Sequence, residues 1–361
     1  MTNEELQHEL YGIATIDPSS ALPRWEKLIE SYPPEDYGFR VVRLLPAVWK
    51  NLKVLKTPFG ASEILESKYN STEVANRQIE VDCREVIEFF ENHGVETLIL
   101  KGLVWTRMAH KDLGVRPTCD FDILIKTEQA ELAQDLLRSD GWEFIGEEWC
   151  PHERLSNAST YHKDGRKLDL HWSLLWESRR PESNECFWQE KQPIDLGGYP
   201  AWTLSFRHHL FHLAASANRE FFHQARYLYD LGAFLNSCPE QVVEHIPHVH
   251  QMLRERRLLY RLESLPLVEL GWSHLLPAQR ASLLDRLWSM ASGHPHGPHA
   301  ELLSGLFPFL DYWQNYRGQN VPGWSLPTYL KRRLEIEDPK EVAKKAFLKI
   351  FRLIGLAAPA E

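Results

Sequence analysis

Asp120-Phe121-Asp122-Ile123-Leu124-Ile125 sets two acids one residue apart on an otherwise apolar run. Side chains alternate along a strand, so Asp120 and Asp122 project from one face while Phe121, Ile123 and Ile125 pack on the other. Two carboxylates this close repel and are costly unless a cation or a proton neutralises them. Hard divalent ions such as Mg²⁺ take oxygen ligands and share them with substrate phosphates, so the pair points to phosphate-transfer chemistry.

Upstream of this run stand Arg116-Pro117 and, earlier, Leu98-Ile99-Leu100-Lys101-Gly102, a short apolar strand followed by a helix-like stretch from Val104 to His110. Downstream, residues 127 to 139 carry an apolar stripe of Ala130, Leu132, Ala133, Leu136 and Leu137 and stop at Gly141, the pattern of a helix. Strands are predicted at Thr160 to His162 and Lys167 to Leu174, joined by the turn Lys163-Asp164-Gly165. Before the core, residues 4 to 55 read as short helices broken at Pro33-Pro34. Residues 61 to 93 read as one long helix that buries Ile64, Leu65, Val74, Ile79, Val86 and Ile87 and stops at Gly94. From Leu204 onward the periodicity is helical: His208 to Ala217, Ala225 to Leu235, Val242 to Leu262, Pro277 to Met290 and Lys340 to Leu353. The expected fold class is α+β: an N-terminal helical segment (1–93), a small mixed-sheet core (94–203) and a helical C-terminal domain (204–361).

The 361 residues are 43% hydrophobic, enough for a sizeable core. A formal net charge of −9 gives no general attraction to nucleic-acid backbones, so nucleic acid is disfavoured as a partner. Five scattered cysteines without a CxxC pair argue against a disulfide framework or structural zinc and for a reducing, cytoplasmic setting. No stretch approaches the roughly 18 apolar residues of a membrane span.

Lys167-Leu168-Asp169-Leu170-His171 repeats the alternation, with Asp169 and His171 on one face. Two-metal transfer needs about three carboxylates: Asp120 and Asp122 suit the bridging pair, Asp169 the ligand of the metal that activates the attacking oxygen. Lys101 suits a position against a triphosphate, and Gly102 permits close approach of the backbone to phosphate. Arg116 suits either a phosphate oxygen or a buttress for Asp120 and Asp122. His171 is read as an orienting group for a metal-binding carboxylate or as a hydrogen-bonded histidine of the sheet wall. Arg226 and Asp230, four apart on a predicted helix, have the spacing of an ordinary ion pair. His294, His296 and His299 lie in a Gly- and Pro-rich loop without completing ligands, and the basic amphipathic stretch from Val342 to Arg352 reads as a terminal helix docking its apolar stripe.

The ordered set Leu98-Ile99-Leu100-Lys101-Gly102, Arg116-Pro117-x-x-Asp120-x-Asp122-Ile-Leu-Ile and Asp169-Leu170-His171-Trp172 resembles a family of uncharacterised bacterial nucleotidyltransferases within the polymerase-β-like superfamily. A weaker echo follows in Phe211-His212-Leu213 and Arg226-Tyr227-Leu228-Tyr229-Asp230. The resemblance implies a mixed-sheet core, Mg²⁺ dependence and a nucleoside triphosphate donor (ATP included), and leaves the acceptor open; the three carboxylates are expected to hold two Mg²⁺ ions, and the expected acceptor is a small molecule or a peptide. The resemblance further implies that Arg226 reaches phosphate and that His212 lines the acceptor side, with Asp230 behind it. The chain departs from the wider pattern where Lys101-Gly102 replaces a Gly-Ser nearer the acids, at Tyr227 and Tyr229 where tryptophan is common, and at Asn218 where a second histidine is expected. Two alternatives stand beside transfer: a catalytically silent nucleotide-binding scaffold, and a toxin-like transferase acting on protein or transfer RNA.

Overall fold

The computed structural model describes residues 1–145, 156–216, 224–263, 267–268, 273–280, 282, 312–315, 325–326 and 328–329. Its N-terminal helices are α1 (Asn3–Thr15), α2 (Pro18–Ser31), α3 (Phe39–Val42), α4 (Leu45–Leu52) and the long α5 (Ser62–Asn92). Three of these, α1, α2 and α5, start or stop for a local reason. A capping box between Thr2 and Glu5 opens α1, and Asp17 caps α2 with Pro18 at its first position. At the end of α5, Gly94 adopts φ 74°, the Val95 N–H reaches Phe90 O at 2.9 Å and the Gly94 N–H reaches Glu91 O at 3.0 Å. That is a Schellman stop, which only glycine enters without strain.

The core then runs β1 (Thr97–Leu100), α6 (Lys101–Trp105) continued by a π-helical turn (Thr106–His110), β2 (Phe121–Ile125), α7 (Ala130–Ser139), β3 (Glu143–Ile145), β4 (Ala158–Lys163) and β5 (Arg166–His171). After α8 (Glu185–Gln189) come β6 (Gln192–Asp195) and β7 (Pro200–Thr203), then α9 (Phe206–Ser216), α10 (Gln224–Ser237), α11 (Pro239–Glu255) and α12 (Leu259–Glu263). The seven strands form one mixed sheet in the order β3-β4-β5-β2-β1-β7-β6. The central pairs decide the site: β1 is antiparallel to β2, and β2 is parallel to β5. The β4–β5 hairpin turns through Asp164 (φ 50°) and Gly165 (φ 79°), the positive-φ pair that a two-residue turn requires.

The α+β class expected from the sequence is the one observed, and the departures have physical causes. Val74 is 70% exposed and Leu132 47% exposed. In their place α5 buries Thr72, Asn76, Glu80 and Asp82, and α7 buries Gln134. The polar residues of α5 are inside because they hold backbone: Asn76 Nδ2 donates to Leu113 O (2.7 Å) and Arg116 O (2.8 Å), and its Oδ1 accepts from the Thr118 N–H (3.1 Å). Glu80 holds Arg107 at 2.5 Å. Strand β5 ends at His171, short of the expected Leu174. The helix expected from Val242 to Leu262 is broken between α11 and α12, where Arg257 takes φ 58°. The predicted helices 277–290 and 340–353 and the histidines of the loop 293–299 lie outside the described residues, as does Asn218.

The chain divides into two compact units. The first comprises residues 1–149, 158–172 and 186–249, so the N-terminal helices, the whole sheet, α9 and α10 belong together. Within it α1 packs on α4 and α10, and α10 packs on the π-helical turn. The second comprises residues 150–157, 173–185 and 250–361, in which Asn184 Oδ1 accepts from the Leu174 N–H (3.0 Å) and Arg256 donates to Ser183 O (3.2 Å). Cys83, Cys119 and Cys238 are free thiols. Among the described residues no helix is long and apolar enough to cross a membrane.

One buried histidine of the first unit ties four segments together. His209 is fully buried on α9; its Nε2–H donates to Thr203 Oγ1 (3.0 Å), Thr203 donates onward to Ile99 O (2.6 Å), and Trp105 Nε1–H donates to His209 Nδ1 (3.4 Å). The arrangement requires a neutral ring, because a proton on Nδ1 would face the indole N–H. Burial, then the neighbouring His208, lowers its pKa to about 3. The folded value lies below the ordinary one, so its stabilisation is complete above pH about 6.5 and is lost as pH falls toward about 3. In urea unfolding between pH 7.5 and 4.5, the wild type is expected to lose stability more steeply than His209→Gln. Parallel slopes would remove His209 from the acid response.

Candidate active site

The strand register assembles the acids. In the parallel pair β2–β5, Asp122 stands opposite Asp169 and Phe121 opposite Leu168, so the two aspartates share a face while Leu168 and Leu170 are buried on the other. Asp120 precedes β2 by one residue, half-buried, with Oδ2 on Lys167 Nζ at 3.0 Å. Asp169 is held by the Thr160 hydroxyl, which donates to its Oδ1 at 2.6 Å. In each of the three acids the second carboxylate oxygen has no hydrogen bond among the described residues.

Asp122 is buried and yet ionised. Its Oδ1 accepts from Lys101 Nζ at 2.7 Å and from His171 Nε2 at 2.9 Å. Burial raises its pKa, but the Lys101 ammonium and the His171 hydrogen bond outweigh that and hold the carboxyl far below the usual range. Burial likewise works against the charge on Lys101; Asp122 outweighs it and raises the ammonium above its ordinary value. His171 goes the other way: burial and then Lys101 lower it, so the ring is neutral and its Nε2–H is the donor. Lys101 reaches Asp122 because Leu100 is the register partner of Asp122 and the next residue turns out of the strand with φ 43°. A non-glycine residue in this left-handed region costs of order 1 kcal/mol, a strain that the ion pair offsets.

Gly102 is required by crowding. A Cβ there would stand 2.8 Å from Thr118 Cγ2 and 3.5 Å from Arg116 Nη1. Arg116 is buried, with its Nε on Asp230 Oδ1 at 2.8 Å rather than on Asp120 or Asp122. Asp230, fully buried, also receives His110 Nε2 at 2.7 Å, and among the described residues it makes no ion pair with Arg226. His212 is buried on α9, edge-on to Trp105 at 6.0 Å, and its Nδ1 has no partner among the described residues. Burial, then Lys101 and His171, hold His212 well below the ordinary value, so it too is neutral.

The structure therefore gathers Lys101, Gly102, Asp120, Asp122, Asp169 and His171 around the β2–β5 pair. Arg116 and Asp230 form a buried pair behind Gly102. Sequence reading missed Asn76, His110, Thr160 and Lys167, which fix the loop before Asp120 and the acids themselves; only their tertiary partners reveal them.

The family model described as uncharacterised nucleotidyltransferase matches residues 39–267. The chain belongs to that nucleotidyltransferase family. Every residue of the site lies within the matched range. A crystal structure of an antigenic nucleotidyltransferase-like protein from Paracoccidioides brasiliensis is similar at 13% identity and a TM-score of 0.32, covering 53% of this chain and 93% of its own. Such a superposition carries no residue positions across. A search of curated proteins found no match.

The donor chemistry of the site fits a hard divalent ion: three carboxylates, each with an oxygen to spare, two of them in register. The acids are nevertheless not gathered into a cage, and among the described residues no group of three or more His, Cys, Asp or Glu side chains is set as metal ligands. Lys101, Lys167 and Thr160 hold them instead.

Proposed function

We propose that this nucleotidyltransferase, of the polymerase-β-like superfamily and working in the bacterial cytoplasm, moves a nucleoside monophosphate from a nucleoside triphosphate to a hydroxyl or phosphate oxygen of a small molecule or peptide. The observation that carries the reading is the ionised Asp122 opposite Asp169 in the parallel β2–β5 pair. Asp120, Asp122 and Asp169 would hold two Mg²⁺ ions, which lower the pKa of the acceptor oxygen and neutralise charge on the leaving pyrophosphate.

The side chains supply position and field. Asp122 stays charged at neutral pH, so it offers a hard anionic ligand without first losing a proton. His171 fixes the orientation of that carboxylate, and Thr160 does the same for Asp169. Lys101 keeps its ammonium beside the acids, where a polyphosphate arrives, and Gly102 leaves the backbone open to it. Arg226 adds positive charge, Arg116 stays paired with Asp230 behind Gly102, and His212, neutral and buried, would line the acceptor side. The attacking oxygen forms a bond to the α-phosphorus as the bond to pyrophosphate breaks, and the acceptor's proton passes to solvent.

The test is release of pyrophosphate from nucleoside triphosphates mixed with candidate acceptors, with Mg²⁺ and with EDTA. Mg²⁺-dependent release with a labelled acceptor is the expected result. A melting-temperature shift by nucleotide with no pyrophosphate under any condition would replace transfer by binding alone.

A further inference from the structure

Three guanidinium groups converge beside the acids. Arg43, at the end of α3, donates from Nη2 to Pro117 O at 3.1 Å, next to Arg116 in the chain. Arg116 lies over the Trp105 ring at 5.4 Å and Arg226 over the Tyr227 ring at 5.7 Å, and the two rings meet edge to face at 6.4 Å. Arg226 stands one helical turn before Asp230 on α10, on the face that holds Arg116.

The three are not equivalent. Arg116 has its carboxylate in Asp230. Arg43 and Arg226 form no ion pair among the described residues, and the Nε of each is buried without an acceptor there. An unsatisfied buried donor is costly, and a guanidinium does not escape by losing its proton at neutral pH. Burial first, then Arg226, pushes the Arg43 pKa down to about 10, still well above neutrality. The nearby acid, Asp120, is engaged by Lys167. Two half-buried guanidinium groups, each with a buried Nε that has no acceptor and no ion pair among the described residues, next to a third arginine, match an oxyanion with several acceptor oxygens.

We propose that Arg43 and Arg226 form a binding site for a phosphate group next to Asp120, Asp122 and Asp169. The identity of the phosphate rests on the transfer reading above: it is either the tail of the donor triphosphate or a phosphate carried by the acceptor. Arg43 brings the N-terminal helices into the site, a role that the motif around the aspartates does not announce.

Calorimetry on the full chain in EDTA tests this with tripolyphosphate and inorganic phosphate. The wild type is expected to bind both, and Arg43→Met and Arg226→Met are each expected to weaken binding about tenfold or more. Arg43 also holds Pro117, so Arg226→Met, whose Nε has no protein partner among the described residues, separates the site from the fold; melting temperatures accompany both. A saturating non-hydrolysable triphosphate that displaces inorganic phosphate assigns the site to the donor, and continued phosphate binding assigns it to the acceptor. No binding by the wild type, or affinities of both Met variants within about twofold of it, overturns the proposal. Asp122→Asn is expected to bind tripolyphosphate in EDTA at least as tightly as the wild type. If that variant keeps normal turnover while the arginine variants lose phosphate, the metal assignment fails and the anion site stands.

Discussion

Asp122→Asn is expected to lower kcat/KM for nucleotidyl transfer by about 10³-fold or more while the protein stays folded. The amide matches the carboxylate in size and keeps an oxygen to accept from Lys101 and His171, so the contacts at 2.7 and 2.9 Å survive in shape. What disappears is the negative charge. The wild-type carboxyl is ionised far below neutral pH because Lys101 and His171 outweigh its burial, and that charge is what would bind Mg²⁺. Lys101 loses its counter-charge in the variant, but it keeps the amide oxygen as acceptor and its side chain is 27% exposed to solvent, so the cost in stability is small beside the loss of activity. Initial rates across a Mg²⁺ titration, with circular dichroism and urea midpoints on the same samples, make the measurement. A folded variant that turns over normally would remove Asp122 from metal binding.

The second large effect concerns stability. Replacing Asp230 by Ala is expected to cost about 3–5 kcal/mol in urea unfolding, because it leaves the buried Arg116 guanidinium without its counter-charge. Asp230 is fully buried and accepts from Arg116 Nε and His110 Nε2 on one oxygen, and the His110 ring is itself stacked on Tyr229 at 4.9 Å. Burial raises its pKa, but Arg116 and then His110 more than compensate and hold it far below the ordinary range. With the folded value depressed, this stabilisation is present above pH about 4 and is lost as pH falls below that. Arg116→Met combined with Asp230→Leu should recover much of the loss, since the pair is then removed together. An Asp230→Ala midpoint within about 1 kcal/mol of wild type would show that the pair does not anchor Arg116.

Helix ends were legible because their chemistry is local. Gly94 and Gly141 stand where α5 and α7 stop, and both close Schellman contacts: Trp142 N–H to Leu137 O at 2.9 Å repeats the Val95 to Phe90 bond. The Asp164-Gly165 turn and the strands around it were legible for the same reason. Strands β6 and β7 were not, since Pro193 and Pro200 mask them; β6 is an edge strand, where a missing N–H is tolerated, and Pro200 is the first residue of β7. The burial of Asn76 and Glu80 and the exposure of Val74 were hidden too, because helical periodicity assumes that the inner face is apolar. Here the inner face meets loop backbone and Arg107.

By itself the sequence determined the α+β class and which residues share a face: alternation sets Asp120 with Asp122, and Asp169 with His171, whatever the strands later meet. Tertiary structure alone decided that β2 and β5 run parallel with Asp122 opposite Asp169, and that Lys101, rather than an arginine, neutralises the buried carboxylate. It also decided that Asp230 belongs to Arg116 while Arg226 and Arg43 keep unpaired Nε atoms among the described residues. The reason is range. Side-chain period and capping act over a few residues and are written into them, whereas register and ion pairing depend on which distant segment arrives, a choice made by the packing of the whole unit.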